Sequence, residues 1–171
     1  CPRDLREVTM ALAVEMLLLA GVAADADAAE ATLSRLWRDG SVRQAFRDNL
    51  ELQGGDVRVM DDHSMLGRAA HVVPVEALRS GFVVDVDPLA LGHCVVDLGG
   101  GRRQPTDKID PVVGIVLRHT LGDKVRVGDV LAFVHASSDQ AAGEAVQAVL
   151  DAIAIGDERV KRRPLVKQRL A

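Results

Sequence analysis

The spacing of apolar residues changes near residue 70, and this change constrains the fold more than any other feature of the chain. Before it, apolar residues recur at helical spacing, whereas after it several short runs alternate with a period near two. Such a switch predicts a domain boundary. We therefore expect a mixed α/β protein of the α+β kind, with a helical first domain over residues 1–68 and a second domain over residues 69–171.

The first domain is predicted to contain three helices and a polar linker. Pro2 suits the first turn of a helix, and apolar residues then cover nearly the whole circumference over residues 5–20. Because a helix that is apolar all round needs neighbours on every side, we expect part of this domain to be absent from the sequence. Two further helices are predicted at residues 27–40 and 41–54, followed by an irregular linker over residues 56–68.

The second domain is predicted to combine short strands with two helices. The predicted helices cover residues 89–98 and 140–155. The predicted strands cover residues 71–75, 81–87, 112–118, part of 123–136 and a final stretch within 158–170. Since aromatic residues make up only 2% of the chain, we expect a core of Val, Leu and Ala side chains.

The composition also narrows the classes of partner and the compartment. Few aromatic residues and a net charge of −4 disfavour nucleic-acid binding. The longest apolar run, residues 10–24, is interrupted by Glu15 and is too short to span a bilayer, so no membrane association is expected. With only two cysteines, Cys1 and Cys94, a disulfide scaffold is not expected and a cytoplasmic location is predicted.

Gly99, Gly100, Gly101, Arg102 and Arg103 form the one candidate binding loop. Glycines let backbone amides approach a phosphate, and arginines add positive charge. The run matches neither the dinucleotide-binding fingerprint nor the Walker loop, however. The favoured interpretation is a helix stop followed by a loop. A second possibility is that this loop closes over a cleft in a larger protein.

Two Gly-Asp pairs, Gly122-Asp123 and Gly128-Asp129, predict two tight turns around a short strand. Glycine supplies a positive φ, and the aspartate side chain is expected to close each turn by a hydrogen bond. The pattern resembles the barrel-sandwich modules of lipoyl and biotinyl carriers. Such carriers need a modifiable lysine just after the pattern, and residues 135–140 contain none. A carrier role is therefore disfavoured.

Acidic residues and histidines offer weaker candidates for chemistry. Asp85 with Asp87, and Asp107 with Asp110, are close enough in sequence for acid–base work, but turn and edge roles are favoured. No two of the five histidines show the spacing of metal ligands, so no metal site is expected.

Two stretches resemble the C-terminal part of the thymidine and pyrimidine-nucleoside phosphorylases. The first comprises PRDLREVTMALAVEM at residues 2–16, DGSVRQAF at residues 39–46 and QGGD at residues 53–56. The second comprises GFVVDVD, ALGHCVVDLGGGRRQ, DKIDPVVGIVL and LGDKVRVGDVLAFVHA, in that order, within residues 81–136.

The resemblance implies a homodimeric enzyme of reversible phosphorolysis. Its substrates would be a pyrimidine nucleoside and inorganic phosphate, with no organic cofactor. Residues 1–68 would then finish an α/β domain, and residues 69–171 would form a barrel-sandwich or hammerhead-like sub-domain. The family's K-x-S-x-G-G phosphate segment does not occur here, so no catalytic or substrate-binding residue is transferred and the chain alone is expected to be inactive. A non-catalytic barrel-sandwich module and an AMP-phosphorylase-like relative remain alternatives.

Overall fold

Two compact units make up the computed structural model, which describes residues 2–162 and 164–169. The helical unit comprises residues 2–65 together with the tail, residues 164–169, and the sheet unit comprises residues 66–162. The C-terminal tail therefore belongs to the helical unit and not to the sheet unit. The predicted functional domains, residues 1–68 and 69–171, remain a prediction.

The helical unit contains the three predicted helices. They are α1 (Arg3–Leu19), α2 (Ala26–Asp39) and α3 (Ser41–Leu52), followed by 3-10 turns at Val57–Met60 and His63–Met65. Helix α2 begins one residue before the predicted start because the Asp25 carboxylate accepts the Ala28 amide at 2.8 Å. Among the described residues of this unit only Ala29 is buried. The helices therefore pack in pairs without enclosing a core.

The sheet unit contains two helices and two antiparallel sheets of three strands. Its elements are β1 (His71–Glu76), β2 (Gly81–Val86), α4 (Pro88–Asp97), β3 (Gly114–Leu117), β4 (Lys124–Val125), β5 (Val130–Ala136), α5 (Asp139–Ala152) and β6 (Ile153–Gly156). One sheet has the order β1-β5-β3 and the other β4-β2-β6. The mixed α+β class is thus confirmed, and neither sheet closes into a barrel within the described residues.

An aliphatic core holds the sheet unit together, as the composition predicts. On β5 the side chains of Ala132, Val134 and Ala136 are buried, whereas Phe133 and His135 between them are half-buried. Helix α5 packs on this inner face and contributes the buried Val149. The remaining buried core residues come from several elements and include Val75, Ala77, Val83, Val125, Leu131, Ala142, Ala145 and Ile153.

Two predictions at the C-terminal end are wrong. The helix predicted over residues 140–155 ends at Ala152, because Ile153–Gly156 forms β6 and pairs antiparallel with β2. The strand predicted within residues 158–170 is absent from the described residues of that range. There, Arg159 and Arg162 donate from their side chains to the carbonyls of a neighbouring turn, and this segment pairs with no strand.

Candidate functional site

The candidate loop follows directly from the end of α4. That helix begins at Pro88, and the Asp87 carboxylate accepts the Leu89 and Ala90 amides at 2.9 and 3.0 Å. Proline at the first helical position and an aspartate cap both favour helix initiation here. The start of α4 is therefore set by local sequence, and its ten residues place the glycine run at the opposite end of the helix.

The glycine run ends α4 in the predicted manner. Gly99 adopts a φ of 94°, which favours glycine. Its amide donates to the Val96 carbonyl at 3.0 Å, and the Gly100 amide donates to the Val95 carbonyl at 2.9 Å. These two amides satisfy carbonyls at the helix terminus and are not available to a ligand.

The second and third glycines also allow close packing against α4. A Cβ atom at Gly100 would lie 2.9 Å from the Val95 Cγ1 atom, and one at Gly101 would lie 2.7 Å from the Val96 Cγ2 atom. Larger residues would push the loop away from the helix. The glycine run thus has a packing role that does not depend on phosphate binding.

Acidic residues hold the second arginine of the loop. The Arg103 guanidinium forms an ion pair with Asp97, which raises the pKa of Arg103. The Asp107 carboxylate accepts the Arg103 and Gln104 amides, each at 2.9 Å. A negative charge therefore already occupies this side of the loop, and an anion would not be favoured beside Arg103.

The middle of the loop keeps unpaired donors. Within residues 2–162 and 164–169, neither the Gly101 amide nor the Arg102 amide donates a hydrogen bond, and the exposed Arg102 guanidinium has no acidic partner. Two amides and one guanidinium are the groups that bind phosphate oxygens in proteins. The predicted loop residues thus differ in the structure. Gly101 and Arg102 have donors available for an anion, whereas Arg103 is paired with Asp97.

Both Gly-Asp turns have the predicted geometry. Gly122 and Gly128 have φ values of 83° and 85°. The Asp123 carboxylate accepts the Thr120 amide, and the Asp129 carboxylate accepts the Arg126 amide, each at 2.8 Å. The pattern therefore encodes turn structure.

The remaining acidic candidates also have turn roles. Asp87 caps α4, Asp107 closes the candidate loop, and Asp110 accepts the Val112 amide at 3.1 Å. Asp85 is exposed on β2. No pair of these carboxylates shares a buried cleft in the described structure. Turn and edge roles therefore account for them better than acid–base chemistry does.

The described histidines and Cys94 form neither a metal site nor a reactive nucleophile. The His71 Nδ1 atom lies 2.7 Å from an Asp139 carboxylate oxygen, and no group of three potential metal ligands occurs among the described residues. The Cys94 thiol is buried, and burial, followed by the nearby Asp97 charge, raises its pKa. A thiol in this state is a poor nucleophile.

Asp97 is the residue of this site that sequence reasoning missed. It lies at the last position of α4 and reaches Arg103, six residues ahead, across the glycine stop. An acidic residue just before a glycine run and arginines is a weak signal, because only the turn of the chain brings the two charges together.

Comparison with known proteins matches residues 82–156 to the family model "Pyrimidine nucleoside phosphorylase C-terminal domain". Residues 82–156 are therefore similar to the C-terminal domain of pyrimidine nucleoside phosphorylases. The resemblance predicted from the motifs is therefore confirmed. Both Gly-Asp turns and the whole candidate loop lie inside the matched range of this C-terminal domain.

Individual phosphorylases extend the similarity over nearly the whole chain. The thymidine phosphorylase of Rhizobium meliloti (strain 1021) is 39% identical over 168 residues, which cover 97% of this chain and 38% of that protein. The thymidine phosphorylase of Burkholderia cenocepacia (strain HI2424) is 39% identical over 157 residues, or 91% of this chain and 36% of that protein. The pyrimidine-nucleoside phosphorylase of Bacillus subtilis (strain 168) is 36% identical, over 92% of this chain and 36% of that protein.

The chain thus spans between about a third and two fifths of the length of these curated relatives. More than half of each relative has no counterpart in it. Across the described residues, no helix is both long and apolar enough to cross a membrane.

Proposed function

We propose that this chain is the C-terminal portion of a thymidine or pyrimidine-nucleoside phosphorylase. The observation that carries the proposal is the 39% identity over 97% of the chain with a thymidine phosphorylase. In the proposed reaction, phosphate attacks C1′ of the nucleoside, the bond from C1′ to the base breaks, and the base leaves with a proton. The products are the free base and 2-deoxy-α-D-ribose 1-phosphate.

In this proposal the two parts of the chain have different places in the enzyme. Residues 1–68 finish the α/β domain, and residues 69–171 form the C-terminal sub-domain, with the two sheets contributing to a barrel-sandwich or hammerhead-like arrangement. The catalytic residues belong to the part that the chain does not match. The enzyme is a cytoplasmic homodimer that uses inorganic phosphate and no organic cofactor.

A chimera tests the proposed function. The N-terminal part of the Rhizobium meliloti thymidine phosphorylase, up to the start of the matched region, is joined to residues 1–171. We expect the chimera to convert thymidine and phosphate into thymine and the sugar phosphate, whereas the 171-residue chain alone shows no turnover. Robust turnover by the chain alone would contradict the proposed position of the active site.

We further propose that the candidate loop, residues 99–103, lies at the domain cleft of the complete enzyme and closes over bound substrate or phosphate. The unpaired donors of Gly101 and Arg102 support this role. In the active chimera, Arg102→Ala is expected to raise KM for phosphate. Arg103→Ala is the matched variant, because Arg103 pairs with Asp97 and is expected to change loop mobility more than phosphate affinity. Unchanged kinetics and loop mobility in both variants would contradict the role.

A non-catalytic module is the second candidate, because the sheet unit has a buried core of its own. Hydrogen exchange separates the two candidates. In a stand-alone module the amides of α1 should be protected in the monomeric 171-residue chain, whereas in a phosphorylase portion they should exchange rapidly in that chain.

A further inference from the structure

Helix α1 exposes a continuous apolar stripe, defined here as Leu5, Leu12, Met16 and Leu19. The exposed fractions of these residues are 58%, 61%, 69% and 87%. Their spacings of seven, four and three residues place them within an arc of roughly 60° on one face of the helix. The α1 stripe is therefore one surface about four turns long, with no large polar side chain inside it.

The rest of α1 is already engaged within the helical unit. Met10 and Val14, on the opposite side of the helix, line the groove shared with Glu30 and Ser34 of α2. On one flank, the Glu15 carboxylate forms an ion pair with Arg169 of the tail at 3.0 Å. Leu12 borders a groove that Val8 and Ala11 form with Leu165 and Val166 of the tail, but it stays 61% exposed. Contacts within this unit therefore account for the other faces and leave the α1 stripe largely uncovered.

The geometry of the stripe fits another helix. Apolar residues at alternating spacings of four and three are typical of a seam that packs against a second helix at a crossing angle of about 20°. Between Val8 and Leu19 the only charged residue is Glu15, whereas a helix face that stays in water normally carries several charges. The stripe thus has the character of an interior face.

Charge argues against a second copy of this chain as the partner. Two copies of α1 would need opposite charges beside the stripe to set their register. Arg6 lies over the Trp37 ring at 5.8 Å, and Glu15 is paired with Arg169. The charges of Arg6 and Glu15 are thus already used within one copy.

The occupant follows from the length of the relatives. They are similar to this chain over nearly all of it, yet more than half of each relative lies outside the match. We propose that the α1 stripe binds an apolar-faced helix from the N-terminal, catalytic part of a phosphorylase. This inference rests on the proposed function, and it names the surface through which the helical unit joins the catalytic part.

Hydrogen exchange of α1 in the chimera described above tests the inference. We expect the amides over residues 8–19 to exchange at least about tenfold more slowly in the chimera than in the 171-residue chain. Leu12→Asp should remove most of that protection, because a carboxylate would be buried against apolar side chains. Leu78→Asp is the matched control, since Leu78 is 75% exposed in the sheet unit and lies outside the stripe.

Each outcome separates the inference from the proposed function. An active chimera whose α1 exchanges as fast as in the chain alone overturns the inference and leaves the function standing. Protected α1 amides that respond to Leu12→Asp, in a chimera without turnover, support the docking surface and contradict the function. Sedimentation of the 171-residue chain supplies a third test, because a dimer that Leu12→Asp dissociates would show that a second copy is the occupant and overturn the inference.

Discussion

The Arg162 guanidinium donates a hydrogen bond to the Asp123 carboxylate at 2.8 Å. The same carboxylate accepts the Thr120 amide, and Arg162 also donates to the Leu121 carbonyl at 2.9 Å. The first Gly-Asp turn is therefore tied to the segment that follows β6. The second turn has the same internal hydrogen bond at Asp129 but no arginine partner within the described structure.

Because of this difference, we expect an Asp→Asn substitution to lower stability more in the first turn than in the second. Asp123→Asn removes the charge that Arg162 binds, and we expect it to destabilise the first turn by about 1 kcal/mol more than Asp129→Asn destabilises the second. Hydrogen exchange reads each turn locally, since the Gly122 amide donates to Val83 and the Gly128 amide donates to Ala77. Equal losses of protection at the two glycines would show that Arg162 contributes nothing.

Asp123 also predicts that the stability of the fold depends on pH. Partial burial by itself would raise the pKa of Asp123, but the Thr120 amide, Arg162 and His119 outweigh it and lower that pKa below its usual value. A lowered folded-state pKa stabilises the fold above the unfolded value near 3.9, and this stabilisation is lost as the pH falls through the folded value.

We therefore expect the difference in unfolding free energy between the wild type and Asp123→Asn to be full near pH 6 and to shrink as the pH is lowered below about 4. Urea unfolding followed by circular dichroism at several pH values measures it. A difference that stays constant down to pH 2 would contradict the assignment.

Substitution of the two turn glycines separates backbone strain from crowding. Gly122 and Gly128 have nearly the same positive φ, so alanine should cost each of them roughly 1–2 kcal/mol. A Cβ atom at Gly122 would also lie 2.9 Å from the Val160 carbonyl oxygen, whereas at Gly128 it would meet no atom within 4 Å. Gly122→Ala should therefore lower the unfolding free energy by about 1 kcal/mol more than Gly128→Ala in urea titrations.

Two leucines of the sheet unit test the position of its core. Leu131 on β5 is 1% exposed, and Leu131→Ala should cost about 2–5 kcal/mol because it leaves a cavity. Leu78→Ala should change the unfolding free energy by no more than about 0.5 kcal/mol, since that side chain lies in solvent. Similar losses in the two variants would mean that the core is centred elsewhere.

Local chemistry explains which elements could be predicted. The cap at Asp87, the proline at Pro88 and the glycine stop at Gly99 all act within a few residues of α4, and so its bounds follow from the sequence alone. The two Gly-Asp turns are equally local, since each carboxylate reaches an amide three residues earlier. Predictions of this kind are confirmed because no distant residue is needed.

Distant partners explain the predictions that are wrong. Residues 153–156 continue the apolar spacing of α5, yet they form a strand because β2 offers its free edge, and Val83 pairs there with Ile155. Residues 158–170 alternate like a strand, but Arg159 and Arg162 donate from their side chains to the first Gly-Asp turn in place of strand pairing. Neither competing partner can be identified from nearby sequence.

The sequence by itself determined the resemblance to the phosphorylases, the turns, most helices and strands, and the position of the candidate loop. It did so because motifs, caps and glycine conformations depend on residues that are close in the chain. Only the tertiary structure decided which donors of that loop remain unpaired and which face of α1 stays uncovered. Those properties depend on the partners that folding brings together, such as Asp97 beside Arg103 and α2 against the opposite side of α1.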